Sequence, residues 1–206
     1  VKISVNVKEL YEKLLKSENT RALMFMFGHH LASFYYRDKT WLKSLLHEIF
    51  PVTENKKHLY LAAWEGYLTA TLYVEMFFDP DFQKLYERGL KLTGNEDPGR
   101  KHQKNPDEGI AVHLALAFVH FKEFGPDHQL FKNFWTNDAV EQHSAFISFI
   151  GRAFISTENA KNNELLEKKP EVKRRLGDFW DWLLENYKQP KPFVEFGFWI
   201  NSGQGH

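Results

Sequence analysis

Trp41-Leu42-Lys43-Ser44-Leu45-Leu46-His47-Glu48-Ile49-Phe50 is the stretch whose reading decides the fold class. Trp41, Leu42, Leu45, Leu46, Ile49 and Phe50 line one helical stripe, with Lys43, Ser44, His47 and Glu48 opposite, a spacing that suits a helix and not a strand of period two. Pro51 lacks a backbone N–H and clashes with the turn before it, so the helix stops there.

Upstream, Arg21 to Tyr36 is apolar nearly all round, with Leu23, Phe27, Leu31 and Phe34 on one side and Met24, Phe25 and Tyr35 on others, which predicts a central, well-covered helix. Only Arg37-Asp38-Lys39-Thr40 separates it from the helix at 41–50. A connection that short predicts an antiparallel hairpin. Val1 to Val7 alternates enough to allow one short extended segment.

Downstream, an apolar helix is expected from about Leu59 to Leu68, then a second run from Leu72 toward Leu92 that breaks at Asp79-Pro80-Asp81. Gly94 to Pro106 has no periodicity and marks a subdomain boundary within what is otherwise a single helical-repeat domain of residues 1–206. Asp107 is placed to cap a helix reaching Phe124, and Gly125-Pro126 turns the chain into a short helix carrying Leu130, Phe131, Phe134 and Trp135. Asn137 or Asp138 then caps a helix with Val140, Phe146, Ile147, Ile150 and Phe154, where Gly151 lets a neighbour approach closely. Pro170 opens a last long helix with Val172, Leu176, Phe179, Trp180, Leu183 and Tyr187 on its inner face, ended by Gln189-Pro190-Lys191-Pro192. Helix hairpins recurring every 35 to 45 residues or so predict an all-α chain of stacked antiparallel helix hairpins, a short HEAT-like α-solenoid.

Composition bounds the function. The 206 residues carry 27 basic and 27 acidic side chains, so no net field draws the chain to nucleic acid or anionic lipid. Cysteine is absent, which removes disulfides, thiolate metal sites and cysteine nucleophiles and fits a cytoplasmic location. No signal peptide or membrane span is visible, and the start at Val1-Lys2-Ile3 suggests a domain of a longer polypeptide. The aromatic share is high, at 16%, and core filling is the default role of such rings.

Among the ten histidines, His113 and His120 stand seven residues apart, about 20° off one line on a helix, and both are expected to be buried. They are the candidate metal ligands of a helical metal-dependent enzyme. No His-Glu-x-x-His, Glu-x-x-His or His-x-x-x-His spacing accompanies them, so hydrogen-bonded core histidines are the expectation, with no metal and no cofactor. Glu65 and Glu75, in otherwise apolar faces, are the candidate carboxylates for acid–base work, and salt-bridged or rim positions are the expectation for them. Two basic clusters, Arg100-Lys101-His102-Gln103-Lys104 and Lys168-Lys169 with Lys173-Arg174-Arg175, would carry a nucleic-acid-binding helical repeat, but acidic neighbours dilute both. No glycine-rich phosphate loop or nucleophile elbow occurs, and no catalytic residue is assigned. Phe193, Phe196, Trp199 and Ile200 form a short apolar segment that must dock. Docking on the helix from Pro170 to Tyr187 makes it a cap; docking on another chain makes these four residues an interaction surface.

Ala62-Ala63-Trp64-Glu65-Gly66-Tyr67-Leu68, Phe134-Trp135 with Phe146-Ile147-Ser148-Phe149-Ile150-Gly151-Arg152, and Phe179-Trp180-Asp181-Trp182 together resemble an uncharacterised bacterial HEAT-like helical domain often found C-terminal to sirtuin-like domains. The resemblance implies a helical accessory region of a larger protein, with defence against phage as a setting in which it senses or positions partners. It carries over no catalytic residue, and the glycine-rich cofactor site of a sirtuin has no counterpart here. The expected function is thus a non-catalytic protein-interaction or scaffolding module, bound to a protein partner or to other domains of its own polypeptide, with no membrane role.

Overall fold

The computed structural model describes residues 2–18, 20–92, 105–155 and 168–200, and every regular element among them is helical. The chain divides into two compact units, one built from residues 2–85 with 105–109 and the other from 86–92, 110–155 and 168–200. The boundary expected at 94–106 lies, over 94–104, outside the described residues. The divisions on either side of it fall at Leu85/Tyr86 and Gly109/Ile110, each inside a helix.

The first unit holds α1 (Val5–Ser17), α2 (Arg21–His29), α3 (Leu31–Ile49), a 3-10 turn (Glu54–Lys56), α4 (Lys57–Leu68), α5 (Val74–Phe77) and the first part of α6 (Pro80–Lys91). The weak alternation expected over Val1 to Val7 makes no strand in its described residues 2–7, where α1 already begins at Val5. The fully covered central helix is α4, in which every residue from Leu59 to Leu68 is buried, and not 21–36 as expected. That stretch breaks at His30, and Met26, His29, His30 and Tyr36 are exposed. Residues 37–40 form no loop: Asp38 alone leaves helical geometry (φ −159°, ψ 83°), and its carboxylate accepts the Trp41 N–H at 3.1 Å, capping the second half of α3.

The main helix pairing of this unit joins α2 to α4 through two glycines. A Cβ on Gly28 would lie 1.9 Å from the Ala63 carbonyl oxygen, and one on Gly66 would lie 2.1 Å from that of Phe25. The two backbones touch because neither glycine carries a side chain.

The second unit holds the end of α6, most of α7 (Pro106–His120), α8 (Gln129–Thr136), α9 (Val140–Ile150), a π-helical turn (Gly151–Ile155), α10 (Pro170–Asn186), a 3-10 segment (Lys191–Phe196) and α11 (Gly197–Ile200). The start of α7 is capped by Asn105, whose Oδ1 accepts the Asp107 N–H at 2.9 Å, so Asp107 is not the cap. Asn137 Oδ1 accepts the Ala139 N–H at 2.8 Å in the turn before α9, but Ala139 holds the N-cap position, so neither Asn137 nor Asp138 caps the helix as expected. The core is an aromatic cluster in which Phe118 and Phe179 stand 5.0 Å apart, with Trp135 5.2 Å from Phe146 and 5.4 Å from Phe179. Phe118, Ile150 and Phe179 are buried as their stripes predict, as is Trp64 in the first unit, whereas Trp180 is only half-buried.

Candidate functional site

Each unit buries a polar junction, and each junction is built from residue types that can do chemistry. In the first unit, Tyr35, Lys39 and Lys43 follow one another at intervals of four along α3. Two lysines so placed repel unless an anion lies between them. That anion is Asp79, at the break between α5 and α6, with its side chain buried. Its carboxylate lies 2.8 Å from Lys39 Nζ and 2.9 Å from Lys43 Nζ, and accepts the Asp81 N–H at 3.1 Å. The Tyr35 hydroxyl lies 3.2 Å from both an Asp79 oxygen and the Glu75 carbonyl. Burial works to raise the Asp79 pKa, but the two ammonium groups and the amide outweigh it and hold the carboxyl at about 2. It is an ionised anchor at neutral pH.

The second junction is His143, fully buried on α9. Its Nε2–H donates to the Phe134 carbonyl at 2.7 Å, which leaves Nδ1 to accept the Tyr187 O–H at 2.6 Å. Trp135 stacks on the imidazole at 4.8 Å and Tyr187 meets it edge-on at 5.1 Å. Burial pushes the imidazole down to about 4, against the Phe134 hydrogen bond that favours its protonated form, and pushes the Tyr187 phenol up to about 12. Both groups are therefore neutral through the neutral range, with every polar atom of the ring engaged.

The candidate metal ligands diverge in environment. His113 is buried, with Nδ1 2.9 Å from the Tyr86 hydroxyl, whereas His120 is exposed against the edge of Phe154. The expectation that both are buried fails because α7 ends at His120, where covering turns on both sides are no longer available. No group of three or more His, Asp or Glu that could hold a metal occurs among the described residues. Glu65 is buried within α4; Glu75 is exposed and takes part only through its carbonyl.

Of the basic clusters, 100–104 lies outside the described residues. In the other, Lys168, Lys169, Lys173 and Arg174 are exposed, but Arg175 turns inward, donating to the carbonyls of Phe121 at 3.3 Å and Phe124 at 2.9 Å and lying 4.8 Å from the Phe118 ring. It closes the turn after α7.

The C-terminal segment packs on α9 and α10. Phe196 is buried, with its ring 4.4 Å from Trp180, and Trp199 Nε1–H donates to the Ile147 carbonyl at 3.1 Å. Gly151 makes room for it, since a Cβ there would lie 2.7 Å from Trp199 Cδ1. Phe193 is half-buried, and the Ile200 side chain lies outside the described residues. The side chains that this segment turns outward are Val194, 75% exposed, and Phe198, 40% exposed with the Arg152 guanidinium 4.3 Å from its ring.

The reading of single residues missed Asp79 as an anchor and missed His143 entirely. A signal existed for both: His143 precedes Phe146, Ile147 and Ile150 by three, four and seven residues and so shares their inner face, and the Lys39/Lys43 spacing asks for an anion.

Fold and junctions together define, among the described residues, an all-helical protein of two units whose buried Asp79 and His143 are bonded to its own chain. Compared with protein-family models, curated proteins and solved structures, the chain matches none of them. No described helix is long and apolar enough to cross a membrane.

Proposed function

We propose that this chain is a non-catalytic protein-interaction module, an accessory region of a larger bacterial protein built as a HEAT-like stack of helix hairpins, with the sensing arm of a phage-defence protein as its setting. The observation that supports this reading is the C-terminal segment, where Phe196 and Trp199 pin the backbone while Val194 and Phe198 face outward, Phe198 beside Arg152. A fixed aromatic beside an arginine is the composition of an interface hot spot, because little side-chain freedom is lost when a partner covers it. The interaction surface then centres on Val194, Phe198 and Arg152, with Phe193, Phe196 and Trp199 as its support.

The test is affinity capture from the source cells, followed by binding of the purified partner to the wild type and to a Val194→Asp/Phe198→Asp double variant. Binding is expected to fall by on the order of 2 kcal/mol or more with unchanged thermal stability. A partner that binds both proteins equally would place the interface elsewhere, and turnover by the purified chain would overturn the reading.

A further inference from the structure

Helix α8 is held at both ends by imidazoles. At its start the His128 ring Nδ1 accepts the Leu130 N–H at 3.2 Å, a capping bond that needs the nitrogen lone pair. At its last turn the Phe134 carbonyl receives the Nε2–H of His143, whose Nδ1 in turn accepts from Tyr187. Between these ends Leu130, Phe131, Phe134 and Trp135 cover the aromatic cluster of the second unit. We propose that α8 is an acid-released cover: protonation of His128 and His143 frees the helix from the aromatic cluster beneath it.

The chemistry at each end works in the same direction. A protonated His128 turns an acceptor into a donor facing another donor, at the end of the helix where the dipole already disfavours a cation. A protonated His143 is a buried cation whose Nδ1–H displaces the Tyr187 proton from its acceptor. The groups facing His143 are the Tyr187 hydroxyl and the Phe134 carbonyl, with Trp135 stacked and, among the described residues, no carboxylate bonded to it. On the same elements, Glu141 pairs with Lys191 on the exposed side. Around His128 stand the Phe124 ring at 5.1 Å and exposed Asp127, while Arg175 of α10 bonds the Phe124 carbonyl and adds a positive charge.

Burial lowers the pKa of both histidines, that of His143 to about 4. A histidine depressed in the folded state stabilises it fully above its unfolded value of about 6.5, and that stabilisation is lost as pH falls toward the folded value. The working window is therefore between about pH 6.5 and 4.

Hydrogen exchange read by mass spectrometry on the full chain, corrected for intrinsic rates, tests this at pH 7.5 and pH 5. Protection of 129–136 should drop on the order of tenfold or more at pH 5, while that of 59–68 is retained. His128→Asn keeps a capping acceptor and His143→Gln keeps a donor for Phe134 and an acceptor for Tyr187, yet neither titrates. The double variant should lose most of the acid response, and His128→Asn alone should reduce it, which keeps the test decisive if His143→Gln packs poorly. An acid response that is absent, that is unchanged in His128→Asn, or that opens 59–68 at the same pH would overturn the proposal.

Discussion

Asp79 shows how much one side chain can organise. Its carboxylate joins α3 to the α5–α6 break through Lys39, Lys43 and Tyr35, and removing one member of such a buried group leaves the others without compensation. Asp79→Asn should therefore destabilise the chain by roughly 2 to 3 kcal/mol in urea melts, the partial exposure of both lysines keeping the loss below that of a fully buried pair. The pH dependence is specific. With the folded carboxyl at about 2, the contribution is present above the unfolded value near 4 and is lost as pH falls through 2. The stability gap between wild type and variant should narrow over that window, and a gap independent of pH would mean that Asp79 acts by packing alone. Phe179 and Trp180, adjacent on one predicted face, separate at this scale: Phe179→Ala should cost about 3 to 5 kcal/mol, and Trp180→Ala clearly less, because only the first is buried.

Among the helices, glycine gives two opposite expectations from one substitution. At Gly66 a new Cβ meets the Phe25 carbonyl oxygen at 2.1 Å, and backbone cannot step aside as a side-chain tip can. Gly66→Ala should push α2 from α4 and cost about 3 kcal/mol, at the upper end for overpacking. Gly177, exposed on α10, has nothing within 4 Å of such a Cβ, so Gly177→Ala should stabilise by about 0.5 to 1 kcal/mol through the better helix propensity of alanine. Denaturant midpoints moving in opposite directions check both, and a Gly66→Ala midpoint equal to wild type would dissolve the assigned crossing. Gly66 stood in a quoted motif and Gly28 in a predicted helix, but nothing local to either says which backbone each meets. The contacts join Gly28 to Ala63 and Gly66 to Phe25, far apart in sequence.

For the molecule as a whole, the C-terminal segment is the element whose removal says most. A chain ending at Lys188 loses the Phe196 ring from Trp180 and the Trp199 hydrogen bond to α9. Its urea midpoint should fall by an amount corresponding to about 3 to 5 kcal/mol, while native-buffer helicity outside the segment is retained. An unchanged midpoint would show that these rings contribute nothing to the fold, and the support assigned to Val194 and Phe198 would go with them.

By itself the sequence determined the helical class, the stops at Pro51 and Asp79-Pro80, and the inner faces of 41–50 and 170–187, Trp180 excepted. All of these depend on neighbours within about four residues, where side-chain period and backbone hydrogen bonding act directly. Tertiary structure alone decided that α4 is the covered helix of its unit, that α2 and α4 meet through Gly28 and Gly66, that Asp79 lies between two lysines and that His143 closes on Tyr187. It also decided which aromatics of the last segment turn inward. Those outcomes depend on which faces fit together across long separations, a matter of shape and buried bonding that periodicity along one helix does not encode.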